Sequence, residues 1–353
     1  MTDIFKTIIN LYPYFLALFA TFLALSLFWK SIFYFFNLKQ YNQAQRVHKD
    51  EVPRLGGVVI YIFLFVLVII GTLQSNFISA VLISSLPLIL ISLKEDLFHN
   101  TKPSNRLFVM LLCCLLFFYM YPVKFPSVDF PYLGSLINYY PIAILFFAFS
   151  TVVVINGMNL IDGMNGLLAT TLLSQVFSLY LFMAFQDNQE TRLELITLGV
   201  MLIIFLIFNF PLGKIFFGDA GAYFFGYLIS MYVVVFFGKN TEVLSWKAVL
   251  LFFYPAMELL FSFVRKKIFE KKSPFTADAK HLHSLIFNLI ELKNPSKYNN
   301  SVVTLILLPF AIIPPIASFY LNNITYVLLV LFMLTTIYIF LYLYFNNLLI
   351  QEK

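Results

Sequence analysis

With 353 residues, 61% of them hydrophobic, only 11% charged and 44 phenylalanines, the chain carries far more apolar mass than a soluble domain of its length uses as a core. An ordinary soluble enzyme or binding module is therefore excluded. The formal net charge of +6 acquires meaning only from where the charges lie.

Taken in chain order, apolar stretches of about 17 to 24 residues recur, the length a helix needs to cross roughly 30 Å of hydrocarbon. They fall at 9–29, 57–73, 76–93, 106–122, 136–155, 167–185, 193–209, 221–237, 247–264, 301–319 and 325–347. The expectation is an all-α polytopic membrane protein of about eleven transmembrane helices, forming a single transmembrane catalytic domain over 1–353. The first apolar run is long enough to stay as a span rather than serve as a cleavable signal. Cys113 and Cys114 sit side by side within one of these runs and imply neither a disulfide framework nor a zinc site. Counting from an outside N-terminus, most of the 23 Lys and Arg fall on the side holding 30–56, 94–105, 156–166, 210–220, 265–300 and the C-terminal tail. The positive-inside rule makes that side the cytoplasm, with the N-terminus periplasmic and the C-terminus cytoplasmic.

Five polar islands lie on that same face: Pro53-Arg54-Leu55-Gly56-Gly57, Lys94-Glu95-Asp96, the run Asn156 to Gly166, Phe216-Phe217-Gly218-Asp219-Ala220-Gly221, and Ser273 to His283. Asp96, Asp162 and Asp219 are carboxylates near helix ends, and Asn156, Asn159 and Asn165 add neutral donors and acceptors. Hard oxygens of this kind suit Mg²⁺ or Mn²⁺ with phosphate completing the shell, although acids at helix boundaries also serve as caps and solvated charges. His281 and His283 do not share a face of a regular helix. An extended segment after Pro274 would point both at one site, where Lys280 or Arg265 could join them on diphosphate oxygens. Lys266, Lys267, Lys271 and Lys272 read as a juxtamembrane patch facing anionic headgroups. Span interiors are nearly free of ionisable residues, Glu258 being the clear exception, whereas a transporter more often carries polar groups at mid-membrane. A membrane carrier of a nucleotide sugar or polyprenyl lipid is the alternative reading.

Taken together, PRLGG, KED, NGMNLIDGMNG, FFGDAG and SPFTADAKHLH, in this order over about residues 53–283, resemble the polyprenyl-phosphate N-acetylhexosamine 1-phosphate transferases. That group includes enzymes that initiate O-antigen, enterobacterial common antigen and teichoic acid linkage, and it is related to the phospho-MurNAc-pentapeptide transferases. The resemblance implies Mg²⁺-dependent (Mn²⁺ possible) transfer of an N-acetylhexosamine or amino-deoxyhexose 1-phosphate from a UDP-sugar to undecaprenyl phosphate, releasing UMP. It places the enzyme in the bacterial inner membrane with its active site facing the cytoplasm. The family's paired acids fall on Glu95 and Asp96, with Glu where the first Asp is usual. Its Asn-Asn-Asp-Gly signature falls on Asn156, Asn159, Asp162 and Gly163, with Asn165 where many members have Asp. Asp219 takes the place of the metal ligand, with Asn159 as a weaker candidate, and Glu258 a structural place beside the site. The implied catalytic residues are Glu95, Asp96, Asp162, His281 and His283; the substrate contacts are Arg54, Asn156, Asp162, Asn165, Lys280 and His281. The partners are UDP-N-acetylhexosamine, undecaprenyl phosphate and membrane lipids, with no nucleic acid. The short histidine segment favours the polysaccharide-initiating branch over the pentapeptide branch.

Overall fold

The computed structural model describes residues 2–35, 52–130, 132–184, 189–273 and 278–352. Most of the 30–56 segment and residues 274–277 of the histidine segment lie outside the described residues. The elements are helices α1 (Thr2–Phe35), α2 (Gly56–Ile69), α3 (Asn76–Phe98), α4 (Pro103–Met120), α5 (Leu133–Ile137), α6 (Tyr140–Ile161) and α7 (Leu167–Ala184), followed by α8 (Gln189–Asn209), α9 (Gly218–Lys239), α10 (Trp246–Leu251), α11 (Phe253–Val264), a π-helical turn at Arg265–Phe269, α12 (Leu282–Lys293), α13 (Asn299–Tyr320) and α14 (Ile324–Gln351).

Among the described residues, nine helices are long and apolar enough to cross a membrane. Two of the eleven expected spans resolve differently. The stretch 57–73 contains α2, whose 14 residues reach only about 21 Å at 1.5 Å per residue, because Gly71 turns the chain with φ 76°. The stretch 247–264 is broken at Phe252 into α10 and α11. Pro255 has no N–H, so it leaves the Leu251 carbonyl without its intrahelical partner; the Gln175 side chain donates to that carbonyl at 2.9 Å. The same device recurs in α13, where Pro315 frees the Ala311 carbonyl and the Ser174 hydroxyl donates to it at 2.6 Å. Lipid offers no alternative partner, so a neighbouring side chain must satisfy each freed group.

Helix α9 is the axis of the fold. It is buried along nearly its whole length and packs chiefly against α6 and α3, with α2 and α7 also on it. Small residues permit that density: a Cβ on Gly57 would stand 1.9 Å from the Gly221 Cα, so α2 and α9 cross backbone to backbone. Tyr227, within α9, ties α4 and α3 to it by donating to the Cys113 carbonyl at 2.9 Å and sharing a 2.7 Å hydrogen bond with the Ser84 hydroxyl. The polar stretches predicted as loops are partly helical. Glu95 and Asp96 lie in the last turn of α3, Asn156 and Asn159 in the last turns of α6, and Asp219 in the first turn of α9. These polar groups therefore stand on rigid helix ends.

Candidate active site

Asp219 occupies the first turn of α9, and three other elements converge on its carboxylate. Arg54 Nη2 donates to Oδ1 at 3.0 Å, Asn159 Nδ2 donates to the same oxygen at 3.0 Å, and Arg106 Nη1 donates to Oδ2 at 3.1 Å. The same Arg106 nitrogen lies 3.2 Å from the Tyr223 hydroxyl. Asp96 faces the start of α9 from the end of α3: Oδ1 accepts from the Asp219 N–H at 2.9 Å and Oδ2 from the Ala220 N–H at 3.0 Å. The C-terminus of one helix thus presents a carboxylate to the N-terminus of another, where unpaired amides and the helix dipole favour negative charge. Asp162, capping α6, accepts from the Gly218 N–H through Oδ2 at 3.1 Å.

Backbone geometry makes this approach possible. Gly218 has φ 76°, and a Cβ there would meet the Arg54 carbonyl at 2.1 Å and Asp96 Oδ2 at 2.8 Å. The two segments are stitched by Gly56 N–H to the Phe216 carbonyl (2.9 Å), Gly57 N–H to the Phe217 carbonyl (3.1 Å) and Phe216 N–H to the Pro53 carbonyl (2.9 Å). Arg54 therefore arrives beside Asp219 through backbone pairing, before its own charge acts.

The electrostatics are dense. Burial works against the Arg54 charge, but Asp96, Asp219 and Asp162 outweigh it and hold the guanidinium above its ordinary value. Burial raises the Asp162 carboxyl well above the usual carboxylate range; Arg54 opposes this while Asp96 and Asp219 add to it. Removing cations from such a group would leave like charges facing one another.

The other expected residues go elsewhere. Glu95 turns to Thr101, accepting from its N–H at 2.9 Å and its hydroxyl at 2.5 Å, and so braces the turn between α3 and α4. Asn156 donates to the Val152 carbonyl at 2.8 Å and faces Met110. Asn165 is fully buried and donates to the Pro211 carbonyl at 2.7 Å.

His281 and His283 form a second group. His281 precedes α12 in an extended conformation, which lets both rings face one carboxylate despite their i, i+2 spacing. His281 Nδ1 is 3.3 Å from Glu258 Oε2, His283 Nδ1 is 3.5 Å from Oε1, and the rings are nearly parallel with centroids 5.4 Å apart. Tyr254 donates to Glu258 Oε1 at 3.1 Å. Around them Arg265 pairs with Glu270 and Asp278 at 2.7 and 2.8 Å, and Lys280 with Glu270 at 2.9 Å. Burial pushes the Asp278 carboxyl up, but Arg265 and Lys266 prevail and hold it below its usual range.

Arg106 was legible in the sequence only as a boundary charge. Its position one turn inside an apolar helix was the available signal, since ionisable residues within spans tend to be functional. Asn209, Asn300 and Thr304, which hold the turn after α6, carried no comparable pattern.

Magnesium takes hard oxygens and keeps phosphate and water in its shell, so one or two carboxylates suffice. Among the described residues no three His, Cys, Asp or Glu groups come together as a metal cluster. Asp219 and Asp162 do supply carboxylate oxygens of the right kind at one helix end, and that donor set fits an ion whose remaining ligands are phosphate and water.

Residues 77–237 match the family described as glycosyl transferase family 4. The chain is 29% identical over 240 residues to the undecaprenyl-phosphate alpha-N-acetylglucosaminyl 1-phosphate transferase of Thermotoga maritima, covering 68% of this chain and 69% of that one. It is 27% identical over 252 residues to a Bacillus subtilis protein named as a probable undecaprenyl-phosphate N-acetylglucosaminyl 1-phosphate transferase, covering 68% and 66%. It is also 29% identical over 243 residues to the phospho-N-acetylmuramoyl-pentapeptide-transferase of Thermotoga maritima, covering 64% and 75%. The chain thus spans about two thirds of the length of the Bacillus subtilis relative.

Proposed function

We propose, from the match of residues 77–237 to glycosyl transferase family 4 and the similarity to the Thermotoga maritima transferase, that the chain transfers an N-acetylhexosamine 1-phosphate from a UDP-sugar to undecaprenyl phosphate. UMP is released and the lipid-linked diphosphate sugar starts a cell-surface polysaccharide. The observation that carries this reading is the set of carboxylates Asp96, Asp162 and Asp219 gathered with Arg54 and Arg106 at the start of a buried helix.

The reaction makes a bond between a lipid phosphate oxygen and the β-phosphorus of the UDP-sugar and breaks the bond to the UMP oxygen. Phosphoryl transfer of this type is catalysed mainly by positioning and charge stabilisation. Asp96 grips the first amides of α9 and so fixes where Asp219 stands. Asn159 orients the Asp219 carboxylate through its amide nitrogen. Arg54 and Arg106 present planar guanidinium donors that match phosphate oxygens; with side chains 40% and 21% exposed, they are able to exchange Asp219 for diphosphate. Magnesium, or manganese in its place, would be held by Asp219, with Asp162 instead of the expected Asn159, whose amide nitrogen faces the Asp219 carboxylate, and would supply positive charge to the diphosphate oxygens. Lys280, half exposed on Glu270, is a further proposed diphosphate contact. The buried His281 and His283 hold Glu258 and with it α11. Phosphate monoesters are mostly dianionic at neutral pH, with a second pKa of about 6, so orientation of the acceptor matters more than removal of its proton.

The donor is proposed to be a small UDP-N-acetylhexosamine or amino-deoxyhexose, because the segment around His281 and the loops outside the polar islands are modest in length. The test is to incubate purified protein with undecaprenyl phosphate, Mg²⁺ and a panel of UDP-N-acetylhexosamines, measuring UMP and the lipid product by mass. Uptake of intact UDP-sugar into vesicles without UMP release would replace transfer by carriage. Preference for UDP-MurNAc-pentapeptide would move the chain to the other branch. The proposed cytoplasmic placement is checked by impermeant thiol labelling of cysteines placed at Ser273 and Asn240 in a background lacking Cys113 and Cys114. Labelling of Ser273 from the periplasm would overturn it.

A further inference from the structure

The turn between α6 and α7 is held by a helix that carries none of the charged site residues. At the start of α13 the Asn300 side chain reaches this turn twice, accepting from the Asn165 N–H through Oδ1 and donating to the Gly163 carbonyl through Nδ2 at 3.2 Å. One turn further along α13, the Thr304 hydroxyl donates to the Asn165 carbonyl at 2.7 Å. The Ser301 hydroxyl donates to the Pro211 carbonyl, the same oxygen that accepts from Asn165 Nδ2. Asn209 closes the far side, accepting from the Gly166 N–H and donating to the Ile215 carbonyl at 2.7 Å. None of these side chains is more than 4% exposed. Buried polar groups cost stability unless satisfied, and apart from Asn165 Oδ1, which has no partner, the groups named here are paired, so the network holds one arrangement against alternatives.

What this clamp holds is the backbone that carries Asp162. The Asp162 carboxylate meets the Gly218 N–H, one residue before Asp219, and Asn165, whose carbonyl and amide α13 grips, comes only three positions after Asp162. The start of α13 also meets the far end of α12: Asn299 Nδ2 donates to Glu291 Oε2 at 2.7 Å and to the Asn294 carbonyl at 2.8 Å. Glu291 lies on α12, whose first turn contains His283.

We infer that Asn300 is a positioning residue for the Asp162–Asn165 turn. It fixes the Asp162 carboxylate against the start of α9 so that Asp162 and Asp219 keep a single relative placement through transfer. The catalytic consequence rests on the proposed sugar-phosphate transfer; the clamp itself does not.

The test uses the full chain in lipid nanodiscs and two readouts, backbone amide exchange and steady-state kinetics. Asn300→Ala removes both bonds, and amides 163–166 are expected to exchange about tenfold or more faster than in wild type while those of Gly56 and Gly57 do not change. The same variant is expected to lower kcat about 10- to 100-fold, the range seen when the group orienting a reacting residue is lost, with KM for the UDP-sugar little altered. Asn300→Asp keeps the acceptor for the Asn165 N–H and loses the donor to Gly163, so it should recover part of the kcat loss. Thr304→Val deletes one bond and gives the same two readouts in smaller measure if Asn300→Ala does not fold. Unchanged exchange at 163–166 in the folded variants would remove the clamp. Faster exchange with wild-type kcat per folded molecule would make these bonds packing alone. A wild-type protein inert toward every UDP-sugar, with exchange still accelerated in Asn300→Ala, would refute the reaction and its catalytic half here while leaving the clamp standing.

Discussion

Two groups of ionisable side chains, one around Asp219 and one around Glu258, are assembled in opposite ways. The group around Asp219 joins residues far apart in sequence, Arg54 lying 165 positions and Asn159 60 positions from their shared partner. The group around Glu258 is built within one stretch, Tyr254 lying 4 positions from Glu258 and Arg265 13 from Asp278. The first keeps partly exposed arginines on its carboxylate, whereas the second seals a carboxylate with no exposure under two histidines. In the proposed reaction the open, charge-dense group trades an arginine for a phosphate. A dry one is suited to holding α11 and α12 together, because an acid removed from water depends on the polar groups packed around it.

Four substitutions sharpen or break that contrast. The largest effect is expected for Asp219→Asn, which removes the charge on which Arg54, Arg106 and Asn159 converge; turnover should fall about a hundredfold or more while the protein remains folded. Near-wild-type UMP release at limiting Mg²⁺ would take Asp219 out of the proposed site. Asp96→Asn comes next, because one amide oxygen cannot replace two carboxylate oxygens facing the Asp219 and Ala220 amides. A buried donor left without an acceptor costs about 1–3 kcal/mol, so both kcat and the denaturation midpoint should drop, and a drop in neither would mean that the amides find another partner.

Glu258→Gln is expected to act mainly on stability, lowering the midpoint while kcat per folded molecule falls less than in Asp219→Asn. If instead this variant is folded and inert, the histidine group belongs to the chemistry and the contrast fails. Glu95→Gln should be mildest, with kcat within about threefold, since its remaining side-chain oxygen still accepts from Thr101 and a hydrogen-bonded brace of this kind contributes about 1 kcal/mol. Turnover as low as in Asp96→Asn would restore Glu95 to a direct role.

Local pattern reached a long way into this molecule. Apolar run lengths marked the long helices because each must span lipid by itself, and the charge on Asp219 between two glycines singled out a helix start where a backbone comes close. For His281 and His283 the i, i+2 spacing said only that a regular helix would not aim both rings at one point; that they face Glu258 was decided by packing. Where run length failed, at 57–73 and 247–264, the cause was a single residue acting on the backbone: Gly71 turning the chain early and Pro255 breaking a hydrogen bond that Gln175, from another helix, takes up.

Other assignments waited on tertiary contact. Glu95 and Asp96 are neighbours in the same helical turn, yet they point to different partners, one to Thr101 and the other to the amides of α9, because successive helical residues face about 100° apart and only packing says what stands on each side. Arg106 looked like a boundary charge until α4 placed it on Asp219. Composition, hydropathy and the order of polar islands thus determined that this is a helical membrane protein with an acid-rich face. Which acid meets which cation, and that Asn165 turns inward to α13, was decided by the three-dimensional packing. Hydrogen bonds reach only about 3 Å, and partners more than a hundred residues apart leave no local periodicity in the chain.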